Sequence, residues 1–250
     1  MNNNLRSCWS QGSKALNGWL SSPSPFHAEL MGMNPFDSIT IDLQHGLVEY
    51  RDAVLMMQAM SGSPATKMCR IPWLEPGIIM KMLDAGAQGI ICPMVNTPEQ
   101  AAEFVGAMRY APEGYRSSGP IRAGLIFDDY HNTSNESLIS LAMIETAEAV
   151  ENAEKICATP GLTGVYVGPS DLAISMGEGP GLDRGDGHVK DAIMHILATA
   201  KKAGIRAGIH CGSPAYIKAM HEAGFDLATL STDIRLFMKA VADNIAEVRS

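Results

Sequence analysis

The sequence predicts a (β/α)8 barrel, and three observations carry that expectation. Eight short β-rich runs alternate strictly with amphipathic helical stretches along the 250 residues. Three of the helical stretches end in "LDAG", "KKAG" and "HEAG", with a glycine two or three residues before the next run, where a left-handed residue stops a helix and satisfies its last carbonyls. No GxGxxG follows the first run, as an open dinucleotide-binding sheet would want; LNGWLSSPSP stands there instead.

The elements follow in order. Residues 1–12 lack the continuous apolar stretch of a signal peptide and read as a short polar tail. Strand ALNGWL (15–20) leads to helix FHAELMGM, SITIDL (38–43) to EYRDAVLMMQAM, TKMCRI (66–71) to EPGIIMKMLDAG, and GIICPM (89–94) to TPEQAAEFVGAMRYA. A polar, Gly-rich connection over 111–137 comes next, and its length suggests a loop shaping the barrel mouth or a subunit contact. Strand SLAMIE (140–145) leads to AEAVENAEKICA, and GVYVG (164–168) to a second insertion, EGPGLDRGDGH (178–188), and then VKDAIMHILATAKKAG. RAGIH (206–210), PAYIKAMHEAG, LATLST (227–232) and RLFMKAVADNIAEV complete a barrel expected to be one domain over 1–250.

The totals narrow the function. Nineteen Lys and Arg against 27 Asp and Glu leave a net charge of −8 with no basic tract, which argues against nucleic acid as a partner. The longest apolar runs, such as LISLAMI (138–144), fall far short of the roughly 20 residues of a membrane helix. Cysteines 8, 69, 92, 157 and 211 show no CxxC spacing and suit reduced, mostly buried thiols of a cytoplasmic protein rather than a disulfide or zinc framework. The helical methionines 31, 33, 57, 80 and 82 fit core or subunit packing.

Barrel enzymes work at the carboxyl ends of their strands. Those ends carry Asp42 and His45 after the second strand, Arg70 at the third, Glu145 at the fifth, Asp171 after the sixth and His210 at the seventh. Packing alone does not explain such a series, because each buried charge needs its own partner. Glu145 and Asp171 stem from adjacent strands, spaced about 4.8 Å apart, and can converge on one cation. Either acid alone equally suits the rim of a barrel or the start of a helix; together they suit Mg²⁺ or Mn²⁺, with Co²⁺ also admissible, whose remaining positions go to water and substrate oxygens. An ion held by two acids favours a chelating anion such as a 2-oxo acid. Arg70 would stabilise negative charge on the keto oxygen, and His45, oriented by Asp42 or another acid, would move a proton.

With these residues in view, the chain resembles the metal-dependent class II pyruvate aldolases of the hydroxy-ketoacid aldolase family, a (β/α)8 branch of the phosphoenolpyruvate/pyruvate superfamily. The likeness runs over roughly residues 12–248 and rests on IDLQHG, CRIP, LDAGAQGIICPMVNTPEQA, RYAPEGYRSSG, IET and GVYVGPSDLAISMG in combination. It implies Glu145 and Asp171 as metal ligands, Arg70 on the pyruvyl oxygen, and His45 in proton transfer with Asp42 nearby. It implies that Asp84 reaches His45 from a neighbouring subunit, in a hexamer built as a trimer of dimers. Backbone amides in the turn Gly168, Pro169, Ser170 and Asp171 would seat the pyruvate carboxylate, and Trp19 matches an aromatic residue near the pocket. Four positions depart from the family pattern: Met143 stands where relatives commonly carry Gln, Gln44 where they often have Glu, His210 where an aliphatic residue lines the aldehyde side, and Ser118 within the usual "RGxG" loop.

The expected reaction is reversible cleavage of a 4-hydroxy-2-oxo acid to pyruvate and an aldehyde, placed in sugar-acid or aromatic-compound catabolism. A Schiff-base aldolase would need a lysine at a strand end, and Lys67, the one strand lysine, precedes that position. An acyl-CoA carbon–carbon lyase of the same superfamily would need a basic surface for its nucleotide arm. A non-catalytic 2-oxo-acid binder is the rival outside enzymes, with Met143 in its favour.

Overall fold

In the computed structural model, which describes residues 3–250, eight parallel strands close in sequence order, the last pairing with the first. They are β1 (Ala15–Leu20), β2 (Ser38–Asp42), β3 (Thr66–Arg70), β4 (Gly89–Cys92), β5 (Ile139–Ile144), β6 (Gly164–Val167), β7 (Arg206–Cys211) and β8 (Leu227–Leu230). All eight predicted strands are present. They read as nearly continuous apolar runs because both faces are covered: on β5, Ile139, Leu141 and Met143 enter the lumen with Trp19, Met68, Ile91, Tyr166 and Leu227, while Ala142 and Ile144 meet the outer helices. Register aligns the functional ends, pairing Asp42 with Arg70, Met143 with Tyr166, and His210 with Thr229.

The helices are α1 (Asn4–Ser10), α2 (Pro25–Gly32), α3 (Tyr50–Ala59), α4 (Pro76–Asp84), α5 (Pro98–Met108), α6 (Ala123–Ile126), α7 (Tyr130–Ser137), α8 (Ala147–Glu151) and α9 (Ala153–Cys157). Then come α10 (Pro169–Ser175), α11 (Gly187–Lys202), α12 (Pro214–Ala223) and α13 (Asp233–Arg249). The stretch AEAVENAEKICA breaks at Asn152, which ends α8 and starts α9 while its Nδ2 donates to the Asn96 carbonyl at 2.9 Å. No helix among the described residues is long and apolar enough to cross a membrane. All five cysteines are free thiols and four are buried.

Two expectations need correction. The residues read as a polar tail include α1, whose Leu5, Cys8 and Trp9 lie on one face at i, i+3 and i+4 and plug the amino end of the lumen. Asn3 caps this helix, Trp9 Nε1 donates to the Asp226 carbonyl at 3.1 Å, and the Leu5 amide donates to Thr66 Oγ1 at 2.9 Å. Trp9→Ala should therefore lower unfolding stability by about 3–5 kcal/mol. A urea midpoint unchanged by that substitution would show that the segment carries no load.

The connection 111–137 does not shape the mouth of its own barrel. It follows α5, which runs back from the carboxyl end of β4, and it leads into the first residue of β5, so it lies at the amino end. There it folds into α6 and α7 around Arg116, which is fully buried between the rings of Tyr110 and Tyr130 and bonds Asp84 at 2.6 Å. The 178–188 insertion, by contrast, follows β6 and α10 and places Leu182 at the mouth.

Candidate active site

With α1 filling the amino end, the lumen opens toward the carboxyl ends of the strands. A cavity of about 360 Å³ lies there, and every predicted site residue except Asp84 lines it: Trp19, Asp42, His45, Arg70, Met143, Glu145, Gly168, Pro169, Ser170, Asp171 and His210. Ser21, Tyr166, Leu182, Thr232 and Arg235 complete the wall.

Asp42 and Arg70, the last residues of neighbouring strands, form a two-pronged pair. Arg70 Nε donates to Oδ1 at 2.9 Å and Nη2 to Oδ2 at 2.6 Å. Oδ1 also accepts the amides of Gln44 and His45, and Oδ2 the indole Nε1–H of Trp19. Burial alone would raise the Asp42 carboxyl, but Arg70 and these amides outweigh it and hold the group below the usual carboxylate range. The guanidinium, 4.9 Å from the centre of the Trp19 ring, is thereby fixed at the cavity wall through Nε and Nη2.

Glu145 lies just beyond β5 and is 2 % exposed. Its Oε1 accepts the Met94 amide at 2.8 Å, and Met94 adopts a left-handed backbone (φ 54°) to present that N–H. Burial pushes the Glu145 carboxyl up to about 7, the Met94 amide opposes the rise and the Asp171 carboxylate adds to it. The other oxygen, Oε2, lies against Gly168 so closely that a Cβ there would collide with it and come within 2.9 Å of Met143 Cε. Asp171 follows in the first turn of α10, behind Pro169 at the helix start. The two carboxylates line one cavity, Glu145 is buried and senses the Asp171 charge, and together they offer an all-oxygen donor set of the kind a hard divalent cation satisfies. Among the described residues no group of three or more His, Cys, Asp or Glu converges, so water or substrate would supply the remaining ligands.

His45 stands at the exposed rim, and its link to Asp42 is through its main-chain amide at 3.3 Å rather than through the imidazole. Asp84 is the last residue of α4, at the opposite end of the barrel, where it pairs with Arg116. Within one chain it does not meet His45. Lys67 points its Nζ to the Ser63 carbonyl near the start of β3, away from the cavity.

Sequence reasoning missed Tyr166, Thr229 and the Met94 amide. Tyr166 is an inward position of β6, recoverable from strand alternation, and its hydroxyl lies 2.6 Å from Thr229 Oγ1 and 3.3 Å from His210 Nδ1. The left-handed turn at Met94 has no signal in the residue type.

Comparisons with known proteins agree with this fold. The family model described as HpcH/HpaI aldolase/citrate lyase matches residues 17–240. A hydroxypyruvate/pyruvate aldolase of Rhizorhabdus wittichii is 39% identical over 249 residues, 99% of each chain. A 5-keto-4-deoxy-D-glucarate aldolase of Klebsiella pneumoniae is 35% identical over 225 residues, 89% of this chain and 87% of that one. Among solved structures, an HpcH/HpaI aldolase/citrate lyase family protein from Burkholderia cenocepacia superposes with a TM-score of 0.91 at 32% identity, covering 100% of both chains.

Proposed function

Since the chain belongs to the HpcH/HpaI aldolase/citrate lyase family, we propose that it is a carbon–carbon lyase that reversibly cleaves a 4-hydroxy-2-oxo acid to a pyruvate-type acid and an aldehyde. The observation that carries this reading is the convergence of Glu145, Asp171 and the Asp42-braced Arg70 on one cavity closed at its far end.

Glu145 and Asp171 would hold a divalent cation, Mg²⁺ or Mn²⁺ with Co²⁺ also suited, which when bound supplies Lewis-acid charge beside the keto oxygen. Arg70 directs Nη1 at the same oxygen, so charge that develops there as C3 loses its bond meets a donor already oriented by Asp42. The first-turn amides at Ser170 and Asp171, of the kind a helix start leaves without carbonyl partners, seat the substrate carboxylate. His45 at the rim exchanges the proton of the cleaved hydroxyl through water. Asp84 can assist it only from a second copy of the chain, consistent with the expected trimer of dimers. Trp19 and Met143 wall the site.

Lys67 lies at the wrong end for a Schiff base. Among the described residues, the Lys and Arg side chains on the cavity wall are Arg70, which is tied to Asp42, and Arg235, too little positive charge for a nucleotide arm. Incubation with pyruvate and Mn²⁺ in D₂O should exchange the methyl protons; EDTA should stop that exchange, Mn²⁺ should restore it, and borohydride should trap nothing. Exchange that survives chelation would refute the cation's role, and its complete absence in the metal-loaded protein would leave only a binder.

A further inference from the structure

His210 ends in a buried hydrogen-bonded chain that leaves it one protonation pattern. Asn17 Nδ2 donates to Thr229 Oγ1 at 2.9 Å, while Asn17 Oδ1 accepts the hydroxyls of Ser38 and Thr40. Thr229 and Tyr166 are both 0 % exposed, so each hydroxyl proton needs an acceptor inside the protein. The acceptor for Thr229 is the Tyr166 oxygen, 2.6 Å away. The Tyr166 proton is left with His210 Nδ1 at 3.3 Å. Nδ1 is then the bare, accepting nitrogen, and the proton of a neutral imidazole sits on Nε2. Burial, aided by the positive charge of Arg70, pulls His210 down to about 3, so the ring stays neutral near pH 7. Trp19 meets the imidazole edge-on, with centroids 4.8 Å apart, and limits its rotation. Gly208 makes the chain sterically feasible: a Cβ there would come within 2.8 Å of Tyr166 Cδ2.

We propose that His210, set by Asn17, Thr229 and Tyr166 as a fixed Nε2–H donor to the cavity, is a specificity residue that favours substrates bearing a hydroxyl on the carbon next to a carbonyl group. Two substrates share that chemistry: a 3-hydroxylated 2-oxo acid as the donor, and a 2-hydroxyaldehyde as the acceptor. An apolar side chain at this position would treat the hydroxylated and plain forms alike. A donor-only nitrogen rewards the oxygen and loses that bond when the oxygen is missing. The inference rests on the aldolase reading and assigns its preferred substrate class.

The test pairs kinetics with a direct view of the ring. For the donor arm, kcat/KM is compared for hydroxypyruvate and pyruvate with propanal; for the acceptor arm, for glycolaldehyde and propanal with pyruvate. His210→Leu should lower the hydroxylated-to-plain ratio about three- to tenfold in at least one arm. His210→Gln, which keeps an N–H donor, should recover part of it, and Tyr166→Phe should lower it by freeing the tautomer. Independently of turnover, the ¹⁵N spectrum of the wild-type imidazole should show a neutral ring protonated at Nε2. Ratios unchanged in both arms, or a ring protonated at Nδ1, would overturn the proposal. Wild-type protein inactive on every pair would refute the aldolase reading, and the ring spectrum would then decide the hydrogen-bond chain alone.

Discussion

Gly168→Ala should lower kcat/KM by at least about 10²-fold and weaken Mn²⁺ binding, although it adds a single methyl group. The backbone there, with φ near −102°, is one that alanine adopts freely, so the effect is not conformational strain. The new carbon would overlap Glu145 Oε2 and lie 2.9 Å from Met143 Cε and 3.1 Å from Glu145 Cβ. Glu145 cannot swing aside cheaply, because its other oxygen is held by the Met94 amide. Either that bond breaks, or the turn carrying Asp171 shifts, and both separate the two acids. Overpacking should add about 1–3 kcal/mol of destabilisation. Gly177→Ala is the control: its φ is 85° and a Cβ would meet nothing within 4 Å, so it should cost stability with Mn²⁺ affinity intact. Titrating Mn²⁺ by electron paramagnetic resonance separates the two variants. Wild-type affinity and turnover in Gly168→Ala would refute the role of the Glu145 and Asp171 pair.

How far the sequence discloses this arrangement differs from residue to residue. The strands are legible because a barrel buried on both sides demands continuous apolar runs, and the strand-end polar residues stand out against them. Helix α1 is obscured by its composition: three asparagines precede Leu5, and only the Leu5, Cys8 and Trp9 stripe betrays a buried face. The 111–137 connection illustrates a topological rule that its length alone hides. An insertion between an outer helix and the next strand falls at the amino end of the barrel, and one between a strand and its main outer helix falls at the mouth, as Leu182 does between β6 and α11, beyond the short α10. The same rule removes Asp84 from its own cavity. Contacts that depend on a backbone turn, such as Met94 to Glu145, or on register across three strands, such as Tyr166 to Thr229 and His210, have no one-dimensional signature.

Asp42→Ala should be more damaging to the fold than any other single change at the mouth. It removes the acceptor of two Arg70 bonds, the Gln44 and His45 amides and the Trp19 indole together. The Arg70 side chain, 11 % exposed, would be left charged and unpaired, a situation that costs about 3–5 kcal/mol. Turnover should fall about 10²-fold or more as the guanidinium loses its aim. Asp42→Asn isolates the charge, since the amide keeps the shape. The folded Asp42 carboxyl titrates below its unfolded value, so its ionised form stabilises the protein fully above an unfolded pKa of about 3.9. That increment is lost as pH falls through this value toward the folded one. The stability gap between wild type and Asp42→Asn should therefore be constant from pH 7 to 5 and narrow below about pH 4, where the unfolded wild type takes up its proton first. Urea unfolding at each pH reads the gap directly. A gap that stays constant below pH 4 would show that Arg70 answers to some other charge, and the bracing that aims Nη1 at the keto oxygen would have to come from elsewhere.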